Sequence, residues 1–249
     1  MIIDAHCHIG AIHNRYIILI RDAQGIVRVM DRFRIDKACV SSLKACQGMV
    51  HEGNLELKRE IERFPDRFIP FCVVNPRSKG AISEVRRCIQ DWGWRGVKLH
   101  PYNHVYPADC YSAKKIVKEA ADLGVPILVH SSKDHPYCDP LRVGRLAGAV
   151  PEAIVIMGHM GGHLGEWDAL EAAEEFGNIV LDTATSSMRH GLIAEAVDRF
   201  GADRLVFGTD LPICYPGPQI VRVTCADITE KQKRMILGEN IAKILGIKT

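Results

Sequence analysis

The residues of this chain best suited to chemistry are histidines and acids that close short apolar runs. His6 and His8 end the run Ile3-Asp4-Ala5-His6-Cys7-His8, and His100 ends Lys98-Leu99-His100. His130 follows Ile127-Leu128-Val129, His159 follows Gly158, and Asp210 follows Phe207-Gly208-Thr209. On an extended run side chains alternate, so His6 and His8 point one way and Cys7 the other, toward a covering layer. Two imidazoles on one strand can grip one ion. With His130 and Asp210 added, the donors are three neutral nitrogens and one carboxylate oxygen, a set that suits zinc first, with manganese or iron as alternatives. A water at an open position on such an ion falls from a pKa of about 15.7 towards about 7, which makes hydroxide available at neutral pH.

Taken singly, each residue has a plainer reading. A strand-end histidine is commonly a hydrogen-bonded structural group, and Asp210 alone reads as a turn former. The inference of a metal centre comes from their conjunction at the ends of different strands.

Those ends must be brought together by the fold. Eight β-branched apolar runs recur, at 2–7, 37–43, 68–74, 95–99, 125–130, 154–158, 179–183 and 205–209. Between them lie stretches with apolar residues at helical spacing, among them 54–64, 83–92, 113–123, 165–176, 192–200 and 230–245. Gly124, Gly177, Gly201 and Gly246 stand where helices should stop. Eight strands alternating with helices predict a parallel α/β fold closed as a (β/α)8 TIM barrel, in which active sites form at the carboxyl ends of the strands. The least regular segments, 9–22 and 212–227, are expected at that catalytic rim. No linker divides the chain, so residues 1–249 are expected to form a single domain.

The bulk composition narrows the function. The 32 basic and 30 acidic side chains leave a formal charge of only +2, which gives no electrostatic reason to expect nucleic acid or an anionic membrane as partner. The start of the chain lacks the basic segment and apolar run of a signal peptide, and no run is long enough to span a bilayer, so a cytoplasmic location is expected. The nine cysteines are scattered without a Cys-x-x-Cys pair, which points to reduced thiols, with Cys39 and Cys72 buried in strands. The expected partners are a small-molecule substrate and, because the rim loops are short, a second copy of the chain.

The same segments, with Gly96-Val97-Lys98-Leu99-His100-Pro101, Gly158-His159-Met160-Gly161-Gly162, Phe207-Gly208-Thr209-Asp210-Leu211-Pro212 and Ile236-Leu237-Gly238-Glu239-Asn240-Ile241-Ala242, occur in an order that resembles the amidohydrolase superfamily. Within it the chain is similar to the amidohydrolase-related branch that includes the aminocarboxymuconate-semialdehyde decarboxylase group. The resemblance runs from Ile2 to about Ile247. It implies one divalent ion on His6, His8, His130 and Asp210, with His159 moving a proton to or from the metal-bound water and Asp210 serving also as general base. Binuclear relatives bridge two ions at this strand, where Lys98 or His100 would support the second; one ion is expected instead, with Lys98 a positive group that holds a substrate carboxylate or pairs with Asp182. Asp4, in phase with His6 but deeper, is a candidate to fix an imidazole.

Hydrolysis of an amide, ester or lactone is the first expectation. Metal-dependent decarboxylation of an unsaturated or aromatic acid is the second, and a non-catalytic metal- or ligand-binding barrel the third. Trp167, Lys133, His135, Arg189 and His190 are candidates to line the pocket.

Overall fold

A computed structural model describes residues 1–11 and 19–248. The strands are β1 (Ile3–Ile9), β2 (Lys37–Ser42), β3 (Phe68–Val73), β4 (Gly96–Leu99), β5 (Ile127–Val129), β6 (Val155–Met157), β7 (Ile179–Asp182) and β8 (Leu205–Val206). Each pairs in parallel with the next, in the order β1 to β8. The barrel closes through backbone bonds from Ala5 N to Phe207 O at 2.8 Å, His8 N to Leu211 O at 2.7 Å and Asp210 N to His6 O at 2.8 Å. The expected TIM barrel is the fold. Cys39 and Cys72 are buried and the cysteines are free thiols. Among the described residues no helix is long and apolar enough to cross a membrane.

Two apolar layers hold the strands. Ile3, Ala5, Cys39, Phe71, Leu128, Ile156, Val180 and Val206 fill the barrel interior, joined by Ile241, Ala242 and Leu245 of the last helix. The other faces of the strands meet the helices. Asn240 anchors that last helix by donating to the carbonyls of Ala202 and Leu205, both at 2.7 Å.

β1 is irregular where it matters. Asp4 pairs with Ala38 and Cys7 with Val40, so β1 uses one more residue than β2 over this interval. Ile3 and Ala5 face the interior, yet Cys7 and Ile9 pack in the outer layer. Strict alternation cannot do both; the extra residue shifts the phase and turns His6 and His8 inward. Asp4 is therefore not in phase with His6, contrary to the alternation expected from sequence.

β8 is also shorter than expected. Past Val206 two of the acceptors are side chains: Gly208 N donates to Thr183 Oγ1 at 3.2 Å, and Thr209 N to Asp4 Oδ1 at 3.0 Å. Asp210 then takes φ 61°, so it is delivered by irregular backbone four residues beyond the strand it was expected to end.

Three helices went unread in the sequence: Ala23–Phe33, Pro140–Gly148 and Pro216–Thr224. The last lies inside the segment expected to be irregular. Prolines and internal glycines disguise them, although proline fits the first turn, where no amide donor is needed. Asp139 caps the second by accepting from Leu141 N at 2.9 Å. Of the other segment expected to be irregular, 9–22, positions 12–18 lie outside the described residues.

Candidate metal centre

The change of phase in β1 puts two imidazoles in the barrel mouth, both almost fully buried. His8 Nε2 lies 3.1 Å from Asp210 Oδ1, and His6 Nε2 lies 3.7 Å from the same oxygen. These three donor atoms sit within 4.8 Å of one another. Two imidazole nitrogens and a carboxylate oxygen on three sides of one point fit a borderline divalent ion, and the donor set passes that test on its own chemistry.

The far side of each ring is fixed. His6 Nδ1 is 2.6 Å from Asp182 Oδ2, and His8 Nδ1 is 2.8 Å from Ser41 Oγ. Partners of this kind hold the ring plane and leave Nε2 to face the site. The role proposed for Asp4 thus belongs to Asp182. Asp4 reaches no imidazole: its carboxylate accepts from His6 N at 2.9 Å, Thr209 N at 3.0 Å and Thr209 Oγ1 at 2.5 Å, so it holds the bulge and ties β1 to the end of β8. Burial pushes Asp4 up to about 8, against the lowering effect of these donors. Burial likewise raises Asp182 to about 7, offset in part by the amides of Ala184 and His159.

His130, expected as the fourth ligand, stands outside the group of three. Its Nδ1 is 2.9 Å from His159 Nε2, and its ring stacks on His100 with centroids 4.1 Å apart and planes 13° off parallel. His159 is set by an unusual backbone. It takes φ 63° and Met160 φ 46°, the left-handed region that non-glycine residues avoid. Strain of this kind persists where the surroundings over-determine it, and here it aims a ring. His159 Nδ1 donates to the carbonyl of Ala184, which leaves Nε2 toward His130 and the mouth. Rings of His6 and His159 are 4.7 Å apart, so the imidazoles from β1, β5 and the turn after β6 form one contiguous cluster.

Lys98 is fully buried, with Nζ 2.8 Å from His6 Nε2. Among the described residues it makes no ion pair with Asp182, contrary to one expectation, because Asp182 is already engaged by His6. Burial lowers the Lys98 pKa, against the raising effect of Cys46, Asp210 and Asp182. Burial also lowers the pKa values of His6, His8, His100, His130 and His159, with neighbouring positive groups such as Lys98 adding to the lowering. Asp210 goes the other way. Burial would raise it, but the hydrogen bond from His8 and the charges of His159, His8 and Lys98 hold it below the usual carboxylate range. Neutral imidazoles beside an ionised carboxylate are the protonation states a cation needs.

Ser41 escaped the sequence reading, although a polar residue near the end of β2 belongs to the same class of signal as the histidines. The expected pocket residues have other engagements. Lys133 pairs with Asp168 and Asp139, Arg189 pairs with Glu195 and lies over the Trp167 ring, and His135 stacks on Tyr102 at 3.6 Å.

A family model described as amidohydrolase matches residues 3–247. No match is found among curated proteins. Solved structures of the same fold include 2,6-dihydroxybenzoate decarboxylase from Rhizobium, at 18% identity and TM-score 0.77 over 98% of each chain. Another is 5-carboxyvanillate decarboxylase from Sphingomonas paucimobilis, at 15% identity and TM-score 0.78 over 99% of each chain. A third is a dihydroxybenzoic acid decarboxylase from Polaromonas with bound manganese and the inhibitor 2-nitroresorcinol. It is 17% identical with TM-score 0.78, over 98% of this chain and 96% of that one.

Proposed function

The chain belongs to the amidohydrolase family, and on that premise we propose that it is a metal-dependent decarboxylase of an aromatic or unsaturated carboxylic acid. The observation that carries the reading is the whole-length match in fold to decarboxylases of hydroxylated benzoic acids, taken with the His6, His8 and Asp210 donors at the barrel mouth of this chain. Hydrolysis, placed first from the sequence alone, uses the same donors and becomes the alternative. It yields first place because these three neighbours, each named with its substrate, are decarboxylases.

His6, His8 and Asp210, with His130 beside them, would hold the ion. Manganese is the ion favoured, in place of the zinc expected first, because the Polaromonas enzyme holds it. A bound divalent cation supplies positive charge that fixes substrate oxygens and draws electron density from the ring. The rest falls to the side chains. Decarboxylation breaks the bond between the carboxyl carbon and its neighbour, releases carbon dioxide and puts a proton on the carbon left behind. His159 is placed to carry that proton: Ala184 fixes its Nδ1, Nε2 faces the mouth, and burial lowers its pKa so that its protonated form is a ready acid.

The test is to load the protein with manganese or zinc and offer hydroxybenzoic acids beside lactones, esters and amides. Carbon dioxide release and oxygen-18 uptake from solvent are followed in parallel. Metal-dependent carbon dioxide release is the expected result. Oxygen-18 entering a new carboxyl group, with no carbon dioxide formed, would return the assignment to hydrolysis.

A further inference from the structure

His100 immediately follows β4, half-buried at the barrel mouth. Its ring lies flat on His130, 4.1 Å away, which fixes its plane. The backbone N–H of Asn103 donates to its Nδ1 at 3.4 Å. A ring nitrogen that accepts a hydrogen bond carries no proton, so the proton of the neutral imidazole is on Nε2. Nε2 has no protein partner among the described residues and is not one of the buried unpaired atoms. A donor of fixed plane, unpartnered and not fully buried, therefore lies beside the His130 ring.

Among the described residues, three cations around this rim already have partners. Lys133 is held by Asp168 and Asp139, Arg189 by Glu195, and Arg222 by Gln219 and the carbonyl of Thr185. Lys98 is fully buried under His6. Beside these engaged groups, His100 is left as a donor without a protein partner among the described residues.

We propose that His100 orients the substrate, donating from Nε2–H to the carboxylate that the reaction removes. The inference rests on the aromatic-acid reading above and names a residue that sets how the acid is presented. A neutral donor suits that reaction. A cation would stabilise the carboxylate charge that must disappear as neutral carbon dioxide leaves, and so would deepen the ground state. An imidazole N–H gives direction with a smaller penalty, and the stack on His130 keeps its position tied to the metal centre.

The experiment titrates manganese-loaded protein with salicylate, the simplest ring that carries a carboxylate beside a hydroxyl, and follows salicylate fluorescence. Three variants are compared. His100→Phe keeps a flat ring on His130 but no donor, His100→Gln keeps an N–H donor without the ring, and His100→Ala keeps neither. Phe and Ala are expected to weaken binding about tenfold, the size of one hydrogen bond to a charged group, while Gln stays within about threefold. Manganese content should match wild type in all three. Binding by the Phe variant equal to wild type overturns the inference alone. Loss of manganese from the variants also overturns it, since His100 would then act through His130. Failure of manganese-loaded wild type to bind salicylate sinks the aromatic-acid reading itself, and the inference with it.

Discussion

His6 Nδ1 and Asp182 Oδ2 lie 2.6 Å apart, both fully buried, across 176 residues of sequence. The same carboxylate accepts from Ala184 N at 2.9 Å and from His159 N at 3.2 Å, so one acid on β7 sets the position of imidazoles from β1 and from the turn after β6. Asp182→Asn should weaken metal binding by about 10- to 100-fold, since the amide holds the His6 tautomer less firmly. A competition titration with a metal-binding dye measures it. Unchanged affinity would mean that His6 is oriented by Lys98 or the backbone alone.

Metal should be lost outright from the His6→Ala, His8→Ala double variant, while wild type retains about one ion per chain after dialysis. Equal metal content in the two proteins would remove the centre altogether. The pH dependence follows from the same residues. Burial lowers the pKa values of both histidines, so protons compete with the ion only below the ordinary histidine value of about 6.5. Asp182, raised to about 7, takes up a proton first, so metal affinity should begin to fall near pH 7, with the histidines adding to the loss only below 6.5. In Asp182→Asn the fall should start only below 6.5; a midpoint at or above 6.5 in that variant would contradict the buried, neutral state of these rings.

His159 sits beside the donors without belonging to the group made by His6, His8 and Asp210. His159→Asn should keep its metal while turnover of an identified substrate falls by about 100-fold or more. Metal analysis and steady-state kinetics on the same preparation separate the two effects. Loss of the ion would make His159 a ligand.

Gly208 is a packing requirement. A Cβ there would meet Asp182 Oδ1 at 2.1 Å and His6 Cβ at 2.9 Å. Gly208→Ala should therefore destabilise the protein by about 1–3 kcal/mol, the usual cost of overpacking, and weaken metal binding by displacing Asp182. Thermal unfolding with and without metal reads both. An alanine variant with wild-type melting and affinity would show that the end of β8 can move aside freely.

Much of this protein is determined by local pattern alone. Apolar runs of β-branched residues separated by helical periodicity specify eight parallel strands, and a parallel sheet with both faces covered closes most simply as a barrel. Closure brings strand ends together whatever their spacing along the chain, which is why residue order alone puts His6, His8, His159 and Asp210 in one mouth. The helix Leu192–Phe200 was legible to the residue because a glycine precedes it and another follows it.

Tertiary structure decided what local pattern does not encode. Whether β1 keeps strict alternation depends on its pairing with β2, so the extra residue between Asp4 and Cys7, and with it the exchange of roles between Asp4 and Asp182, emerges only when both strands are in register. The directions of His159 and Asp210 depend on left-handed backbone held by distant partners, since side-chain and backbone acceptors from β1 and β7 replace the ladder there. The stack of His100 on His130 likewise needs β4 and β5 side by side. Residue types and their order along the chain fix which groups reach the mouth; the aim of each ring and carboxylate is fixed by hydrogen bonds to residues remote in sequence, whose positions exist only in the closed barrel.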